Sequence, residues 1–469
     1  MKTLSTAALT LAAISGAAAS GRKLDTTTSN KQRRAKGDKM SYTNSSSKAG
    51  KFGKSCKANP GDSTSRFSTV YTMTNQPDNE IVIYDRNERT GELNYVDNVA
   101  TGGVGFVFET PDGVNAVDDP LASTGSIIVV GEGKQSCLLA VNAGSNTVSS
   151  FKIGSAADEL TLVSEEGSGG LYPVSITEKD GLVYVLNAGG IGSIVGFHLI
   201  GFTCQLIPLG QPAIELTRPG YDSTAPYLIT ETPAQIGFTP KNEILVTIKQ
   251  NSGGPPDFNV SASLNLYEVS SSDGRIGDLT QTNLDSLTRT QNGDLAFSFT
   301  FDSSGNVLLV EPALDGQLTN GVVSVIENVD SGVDPVTITS EATTESTASC
   351  WIQYNPKSSC VYTANNGGNS ISSFSLNDEG ELKRVSNEAG TLNAPIDMIQ
   401  SPDYNYLYAL STGHTDAGQP SIYIYEMTCG CDLKLVDIIE DGLLSEDERR
   451  DAGREVVNGY VGLALYTSH

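Results

Sequence analysis

The sequence predicts an all-β protein made of many short strands, and three observations support this fold class. Apolar residues make up 38% of the chain and glycines number 48, a composition that suits short strands and turns better than packed helices. Long apolar stretches are scarce. The segment from Val361 to Leu382, VYTANNGGNSISSFSLNDEGEL, joins two apolar runs through an Asn/Gly-rich turn, and its pattern recurs along the chain.

The recurring unit contains four strands. Two of them flank the Asn/Gly turn, where residues that tolerate positive φ are needed, and a third short strand such as LTLVS or LKRVS follows. Another strand precedes most copies, as in PVSITEKDG and PIDMIQSPDYN. Seven copies of the unit begin at Tyr71, Leu138, Val183, Ile244, Val307, Val361 and Leu407.

Seven such units predict a seven-bladed β-propeller. A small antiparallel sheet with apolar residues on both faces cannot cover those faces alone, whereas sheets stacked radially around an axis cover one another. The first copy lacks its leading strand, and GYVGLALY (459–466) lies beyond the seventh copy. We therefore expect 459–466 to pair beside the Tyr71 segment as the innermost strand of the first blade, which closes the ring and removes exposed sheet edges.

Two segments precede the predicted propeller, which we place at residues 66–469. Residues 1–20, MKTLSTAALTLAAISGAAAS, predict a signal peptide and hence a secreted protein, extracellular or associated with the cell wall. Residues 21–65 contain 11 Lys/Arg and 3 Asp/Glu, a net charge of +8, and almost no apolar residues, which predicts a disordered basic leader.

The body of the chain is strongly acidic. From Arg66 onward 18 basic and 52 acidic residues give a net charge of −34. Such a body repels polyanions and anionic membranes, which argues against nucleic acid as a partner. No segment predicts a transmembrane helix, because the most apolar one, residues 183–202, contains an Asn, a His and several glycines.

The seven cysteines predict structural disulfides in an oxidising compartment. Their odd number leaves at least one thiol unpaired or joined to another chain. Cys429 and Cys431 lack the spacing of a zinc pair and have no neighbouring ligand histidine. Asn44 and Asn259 stand in Asn-x-Ser sequons, which a secreted chain could carry glycosylated.

Several stretches resemble one known family. DDPLASTGSIIVVGEGKQSCLLAVNAGSNTVSSFKI, DGLVYVLNAGG, TPAQIGFTP and APIDMIQSPDYNYLYAL are similar to the seven-bladed lactonase-like propellers with YVTN-type repeats, a group that includes 6-phosphogluconolactonase and the fungal carboxymuconate-lactonizing enzymes. The similarity covers roughly Arg66 to the C-terminus. It implies a propeller fold and a lactone as the candidate substrate.

The resemblance also implies a channel histidine ahead of an inner strand, and this sequence departs from that pattern. Tyr172 stands before the proline of the matching stretch GGLYPVSITE. The three histidines lie elsewhere: His198 on a middle strand, His414 in a blade turn and His469 at the terminus. We expect His198 to be a structural strand residue and His414 to lie at the surface.

The mouth of the central channel is the predicted ligand site, because innermost strands and the loops leading into them line it. Alignment of the leading strands at their first prolines places five residues at matching or equivalent positions: Ser175, Gln235, Phe297, Trp351 and Asp397. Asp222, in a long polar loop, is a further predicted ligand contact. The alternative is that each strand residue packs against the next blade, since a one-residue error in register turns every side chain over.

The long polar loops 109–124 and 216–235 are where we expect chemistry. Lactone hydrolysis needs a base to activate water and groups that hold the developing oxyanion. Glu231 is the candidate base, and Arg218 and Gln235 are its candidate partners for the oxyanion.

No cofactor is expected. Asp112, Asn115, Asp118 and Asp119 offer oxygen ligands for calcium, but the EF-hand order is absent and solvated loop acids are the alternative. A phosphorylated lactone would need several converging basic groups. A neutral or cationic small molecule therefore suits this acidic body better.

A non-catalytic function stays open. The propeller could instead hold a protein or a cell-wall polymer, with the basic leader as a tether. Lys48, Lys51, Lys54 and Lys57 are spaced three apart in the leader and could bind a polyanionic extracellular matrix. The sequence does not indicate an oligomeric state.

Overall fold

A computed structural model describes residues 67–105, 119, 121–131, 133–216, 232–249, 262–290, 295–312, 320–330, 334–412, 419–444 and 459–468. Within these ranges the chain forms 29 β-strands and two short 3-10 helices, Gly133–Gln135 and Leu284–Ser286. The predicted signal peptide and basic leader lie outside the described residues. No helix of the described part is long and apolar enough to cross a membrane.

The strands form seven antiparallel sheets, which we number as blades in chain order. Blade 1 contains β1 (Ser68–Met73), β2 (Glu80–Arg86), β3 (Leu93–Ala100) and the last strand, β29 (Val461–Thr467). Blade 2 contains β4 (Ile127–Val130), β5 (Cys137–Asn142), β6 (Thr147–Ile153) and β7 (Leu160–Gly167). Blade 3 contains β8 (Pro173–Lys179), β9 (Leu182–Asn187), β10 (Ser193–Ile200), β11 (Gln205–Pro208) and β12 (Ile214–Glu215).

The remaining four blades repeat the same four-stranded order. Blade 4 contains β13 (Pro233–Phe238), β14 (Ile244–Ile248), β15 (Ser263–Val269) and β16 (Ile276–Asn283). Blade 5 contains β17 (Ser298–Phe301), β18 (Val307–Glu311), β19 (Val322–Glu327) and β20 (Thr337–Thr343). Blade 6 contains β21 (Ser349–Asn355), β22 (Cys360–Asn365), β23 (Ser370–Leu376) and β24 (Leu382–Thr391). Blade 7 contains β25 (Pro395–Gln400), β26 (Tyr406–Ser411), β27 (Ser421–Met427) and β28 (Leu433–Ile439).

The innermost strands form a closed ring. These strands are β29, β4, β8, β13, β17, β21 and β25, and each contacts the next one around the axis, with β25 returning to β29. The predicted seven-bladed propeller is therefore confirmed. We call the end of the channel at which the innermost strands begin the upper end.

The predicted closure of the ring by the C-terminus is also confirmed. β29 pairs antiparallel with β1, with Tyr71 opposite Ala464. A β-bulge lies at Gly462, whose φ is +72°, a left-handed conformation that favours glycine. A Cβ atom built there would lie 2.4 Å from Oγ of Ser126 in blade 2, so glycine also permits the close approach of the two blades.

Burial explains why the blades need one another. The second strands are buried on both faces, as in β5 and β22, where every residue is buried. Outer strands are more exposed: in β7 every residue after the buried Leu160 is partly or fully exposed. A second strand that is buried on both faces requires a neighbouring sheet on each side, and the ring of blades supplies both.

In blades 2 and 6 the Asn of the repeated unit helps to fasten the blade to the preceding one. In blade 6, Nδ2 of Asn365 donates to Oγ of Ser372 over 2.9 Å, and its Oδ1 accepts from Oγ of Ser349 over 2.6 Å. Ser372 in turn donates to the carbonyl oxygen of Thr344, which follows the outer strand of blade 5. Asn142 and Ser149 make the corresponding contacts in blade 2. The Asn-x6-Ser spacing of the repeat thus forms a buried polar tie.

Two disulfides join neighbouring blades. Cys137–Cys204 links blades 2 and 3, and Cys360–Cys431 links blades 6 and 7. Cys429 is also disulfide-bonded. Among the residues that the structure describes, Cys350 is the free thiol, as the odd cysteine count predicted.

Candidate functional site

A β-bulge recurs near the start of the innermost strands. It separates Pro173 from Ser175 in β8, Pro233 from Gln235 in β13, Ser349 from Trp351 in β21 and Pro395 from Asp397 in β25. The residue after the bulge pairs in each case with the second-last residue of the neighbouring strand. The alignment of Ser175, Gln235, Trp351 and Asp397 in the sequence analysis is therefore correct in register.

Blade 5 differs from the sequence alignment by one residue. Ser298, and not Phe297, pairs with Val310, the second-last residue of β18. Phe297 is the residue before it, and its ring packs edge-to-face on Trp351 with centroids 5.4 Å apart. Phe297 and Trp351 are therefore in contact through their rings, but they do not occupy equivalent positions.

The polar side chains at these positions connect neighbouring blades. Oγ of Ser175 donates to the carbonyl oxygen of Thr124 over 2.6 Å and accepts the backbone N–H of Ile236 over 3.2 Å. The amide of Gln235 spans to blade 5, where Nε2 donates to the carbonyl oxygen of Phe299 and Oε1 accepts its N–H. An innermost strand exposes an unpaired edge to the channel, so its buried N–H groups need such acceptors.

Asp397 makes the same connection with a carboxylate. Its Oδ2 accepts the N–H of Leu463 in β29 over 2.8 Å, and its Oδ1 accepts the N–H of Met398 over 2.7 Å. Ligand contact by Ser175, Gln235 and Asp397 stays a prediction. In the described protein their polar atoms serve the joints between blades.

Trp351 contacts a segment from the opposite side of the ring. Its Nε1 donates to the carbonyl oxygen of Ser123 over 3.1 Å, and Oγ of Ser123 donates to the carbonyl oxygen of Val174 over 2.8 Å. These bonds join blade 6 and blade 3 through the segment that leads into blade 2. Because these blades lie on different sides of the axis, residues 121–125 lie across the upper end of the channel.

Further bonds fix this segment, which we call the crossing segment (residues 121–125). The N–H of Thr124 donates to the carbonyl oxygen of Ala234, and the carbonyl oxygen of Gly125 accepts the N–H of Ile176. Leu121 is buried, with 1% of its surface exposed. The described end of the predicted polar loop 109–124 is therefore a largely buried strap at the channel, and the expectation of chemistry in this loop stays a prediction.

Lys249 is a buried cation beside the crossing segment. It follows β14, only 2% of its surface is exposed, and its Nζ donates to the carbonyl oxygen of Ala122. The same Nζ lies 5.0 Å from the centroid of the Phe297 ring, a cation–π arrangement. Burying an ammonium group is costly unless it is paired, and the carbonyl oxygen of Ala122 and the Phe297 ring are partners of this one.

Electrostatic coupling joins four groups at this end. Burial is the main reason that the pKa of Asp397 is raised to about 7, and the charge of Asp119 adds to it. The hydrogen bonds from the N–H groups of Met398 and Leu463 act in the opposite direction and lower this pKa. Burial and Asp119 also raise the pKa of the Cys350 thiol, and Lys249 lowers it. Asp119, Lys249, Cys350 and Asp397 are thus electrostatically coupled, and we call these four residues the upper cluster.

The proposed catalytic residues lie outside the described residues. These are Glu231 and Arg218, together with Asp222 and the possible calcium ligands Asp112, Asn115 and Asp118. The residue after Glu231 is described: Thr232 is buried, and its carbonyl oxygen accepts the N–H of Lys249 over 3.3 Å. Among the described residues no group of three His, Cys, Asp or Glu side chains could hold a metal ion.

The histidine and tyrosine positions can be partly checked. His198 lies exposed on β10, which agrees with a structural strand residue, whereas His414 and His469 are outside the described ranges. Tyr172 is buried with φ +61°, and its N–H donates to Oδ1 of Asn146.

A shallow pocket of about 400 Å³ beside Tyr172 is lined mainly by Val104, Leu171 and the turn after Ala143.

Sequence reasoning missed Lys249 and the crossing segment. The available signal was a single lysine directly after the apolar run ILVTI, a place where the other blades carry uncharged residues such as Ala188 and Asn366. The crossing segment has no such signal, because its partners come from blades that are distant in sequence.

The closed ring and the buried upper end define a seven-bladed β-propeller. No protein-family model matches the chain, and no curated protein matches it in sequence. Solved structures share the fold, which confirms the predicted resemblance to lactonase-like propellers at the level of architecture.

Three solved structures illustrate the likeness. A putative 6-phosphogluconolactonase from Bacteroides fragilis is 16% identical, covers 88% of this chain and all of its own, and has a TM-score of 0.57. A putative 6-phosphogluconolactonase from Bacteroides uniformis is 15% identical, with 86% and 100% coverage and a TM-score of 0.57. A periplasmic gluconolactonase from Pseudomonas aeruginosa is 11% identical, with 86% and 99% coverage and a TM-score of 0.54. At these identities the likeness concerns the fold.

Proposed function

We propose that this protein is a secreted lactonase-like propeller that binds a small molecule at the upper end of its channel and hydrolyses a lactone or a sugar-derived ester. The observation that carries the proposal is the buried Lys249, whose N–H is bonded to the carbonyl oxygen of Thr232, next to the candidate base Glu231. The lactonase names of proteins with the same fold support the choice of reaction. The two inter-blade disulfides are compatible with an extracellular protein.

The reaction assigns one role to each residue. Glu231 takes a proton from water while the water oxygen bonds to the lactone carbonyl carbon. Arg218 and Lys249 stabilise the oxyanion that forms on the carbonyl oxygen. When the tetrahedral intermediate collapses, the ring C–O bond breaks, the alkoxide takes up the proton, and a hydroxy acid leaves.

The expected substrate is uncharged. The body carries a net charge of −34 from Arg66 onward, and Lys249 already donates a hydrogen bond to the crossing segment. A phosphorylated lactone would need several basic groups that converge on its phosphate. We therefore expect neutral lactones to be turned over in preference to phosphorylated ones.

An assay of the purified protein against a panel of neutral lactones tests this proposal. Wild type should turn over at least one of them, and Glu231→Gln should reduce kcat by 100-fold or more, on the order of a lost general base. Glu165→Gln, a change on the outer strand of blade 2, is the matched control and should keep wild-type turnover. Absent turnover, or turnover that Glu231→Gln leaves unchanged, removes the mechanism.

A second function, a non-catalytic extracellular module for a protein or a cell-wall polymer, is favoured by a different observation. The ring residues Ser175, Gln235 and Asp397 use their polar atoms to join blades, and the crossing segment occupies the upper end. The full chain should then bind acidic polysaccharide or silica in a salt-sensitive manner through its lysine-rich leader. Replacement of Lys48, Lys51, Lys54 and Lys57 by Ala should weaken that binding, and salt-independent binding would contradict it.

A further inference from the structure

The joints between blades use acceptors of two kinds. Between blades 2 and 3 the acceptor for the inner-strand N–H is the carbonyl oxygen of Gly125, between blades 3 and 4 it is Oγ of Ser175, and between blades 4 and 5 it is Oε1 of Gln235. All three are uncharged. Between blades 7 and 1 the acceptor is the carboxyl group of Asp397.

The joint between blades 7 and 1 is also where the chain closes on itself. Within blade 1, β29 comes from the C-terminus and β1 from the N-terminal part of the propeller, so hydrogen bonds alone join them in the sheet. Asp397 bonds to the N–H of Leu463, at the bulge where β29 meets β1. A change in this one carboxyl group therefore acts on the closure of the whole ring.

A buried carboxyl group exists in two forms that differ in this contact. The ionised form accepts both N–H bonds but carries its charge where 5% of the residue is exposed, and the charge of Asp119 acts against it. The protonated form carries no charge and keeps acceptor capacity on its oxygens. Uncharged Ser and Gln make the equivalent bonds at other joints, so the charge is not needed for the bond itself.

We propose that Asp397 is a protonation-sensitive clasp of the propeller, which holds the C-terminal strand most tightly when it is neutral and loosens the ring closure when it ionises. The proposal is independent of the enzymatic function proposed above.

The other groups that face Asp397 leave it as the titrating group near neutral pH. Asp119 raises its pKa, whereas Lys249 acts on the neighbouring Cys350, whose own pKa is raised by burial. The paired strands β26 and β29 contain tyrosines as their titratable side chains, and burial raises the pKa of Tyr408 to about 12. Burial thus keeps the Cys350 thiol and the Tyr408 hydroxyl protonated between pH 5 and 8.

The sign of the effect follows from the direction of the shift. Asp397 has a pKa of about 7 in the folded protein against 3.8 when unperturbed. Its stabilising contribution is therefore complete below about pH 4 and is lost as the pH rises through about 7. A shift of about three units corresponds to a change of up to about 1000-fold in the folding equilibrium constant.

Unfolding of the full chain in urea, measured from pH 4.5 to 8.5, tests the clasp. Asp397→Asn and Asp397→Ser should remove this part of the pH dependence, so that the ratio of wild-type to variant folding constants falls as the pH rises from the start of the range to about 7 and is level above it. Ser175→Ala is the matched control, because it deletes an uncharged joint and should lower stability equally at all these pH values.

Two further measurements locate the effect. Asp119→Asn should lower the pKa of Asp397 and so move the midpoint of the pH dependence of unfolding to lower pH. This variant keeps Asp397 in place, so it tests the clasp even if the Asp397 variants fail to fold. Hydrogen exchange of peptides covering 461–467, corrected for its intrinsic pH dependence, should show protection in wild type that falls as the pH rises to about 7 and then levels off. An unchanged pH profile in the Asp397 and Asp119 variants, or protection of 461–467 that does not change with pH, overturns the proposal.

Discussion

The indole Nε1 of Trp351 donates a 3.1 Å hydrogen bond to the carbonyl oxygen of Ser123, although the two residues come from opposite sides of the ring. The bond holds the crossing segment over the upper end of the channel. The single tryptophan of the chain is thus an anchor for that segment, buried with 2% of its surface exposed.

Trp351 is the first residue we predict to be sensitive to substitution. Trp351→Phe should cost about 1–3 kcal/mol of unfolding free energy, because the buried carbonyl oxygen of Ser123 loses its donor. Trp351→Ala should cost about 3–5 kcal/mol through the cavity it leaves. Urea unfolding measures both, with the exposed Leu171→Ala as a near-neutral control. A Trp351→Ala protein as stable as wild type would rule out the anchoring role.

The reactivity of Cys350 provides a test of the upper cluster. Burial and Asp119 raise the pKa of this thiol while Lys249 lowers it, so the native protein should react slowly with iodoacetamide at pH 8. Lys249→Met should slow the reaction further, and Asp119→Asn should accelerate it. Rates are read by mass spectrometry of the Cys350 peptide. If both variants shift the rate in the same direction, the assigned electrostatics is wrong.

The sequence predicted the architecture well for a physical reason. Each blade is a local unit, so its strands, turns and repeated Asn and Ser can be read from neighbouring residues, as in Asn365 and Ser372. The shared bulge also kept Ser175, Gln235 and Asp397 in register, because each follows a proline by two residues.

The channel was harder to predict because it is built from contacts between blades. Phe297 stands one residue away from the ring position, since blade 5 has no leading proline to fix the alignment. The contact of Lys249 with the carbonyl oxygen of Ala122 joins residues 127 positions apart, and no local pattern indicates it. The hydrogen bonds of Ser175 and Gln235 to adjacent strands likewise became visible only once the ring was assembled.

The disulfide between Cys360 and Cys431 should contribute measurably to stability. It joins β22 of blade 6 to the turn after β27 of blade 7 across a sequence separation of 71 residues. A loop of this size should stabilise the fold by about 4 kcal/mol by limiting the unfolded chain. The double variant Cys360→Ala, Cys431→Ala should therefore unfold at lower urea concentration than wild type. An unchanged unfolding midpoint would show that the blades hold together without the disulfide.

The repeated Asn allows a comparison between two blades of the same chain. Asn365 and Asn187 occupy equivalent positions at the ends of β22 and β9, and both are fully buried. Asn365 bonds to Ser349, Ser370 and Ser372, whereas Asn187 donates to the carbonyl oxygen of Ser168 and its Oδ1 has no hydrogen-bond partner among the described residues.

This difference predicts unequal costs for the same substitution. Asn365→Ala removes a connected set of bonds and leaves buried hydroxyls with fewer partners, so it should cost about 2–4 kcal/mol, a few bonds at about 1 kcal/mol each. Asn187→Ala removes one bond and an unsatisfied oxygen, so about 1 kcal/mol or less is expected. Urea unfolding of the two single variants under one condition gives the comparison directly. Equal losses would mean that backbone geometry at the turn, and not the polar tie, is what the Asn supplies.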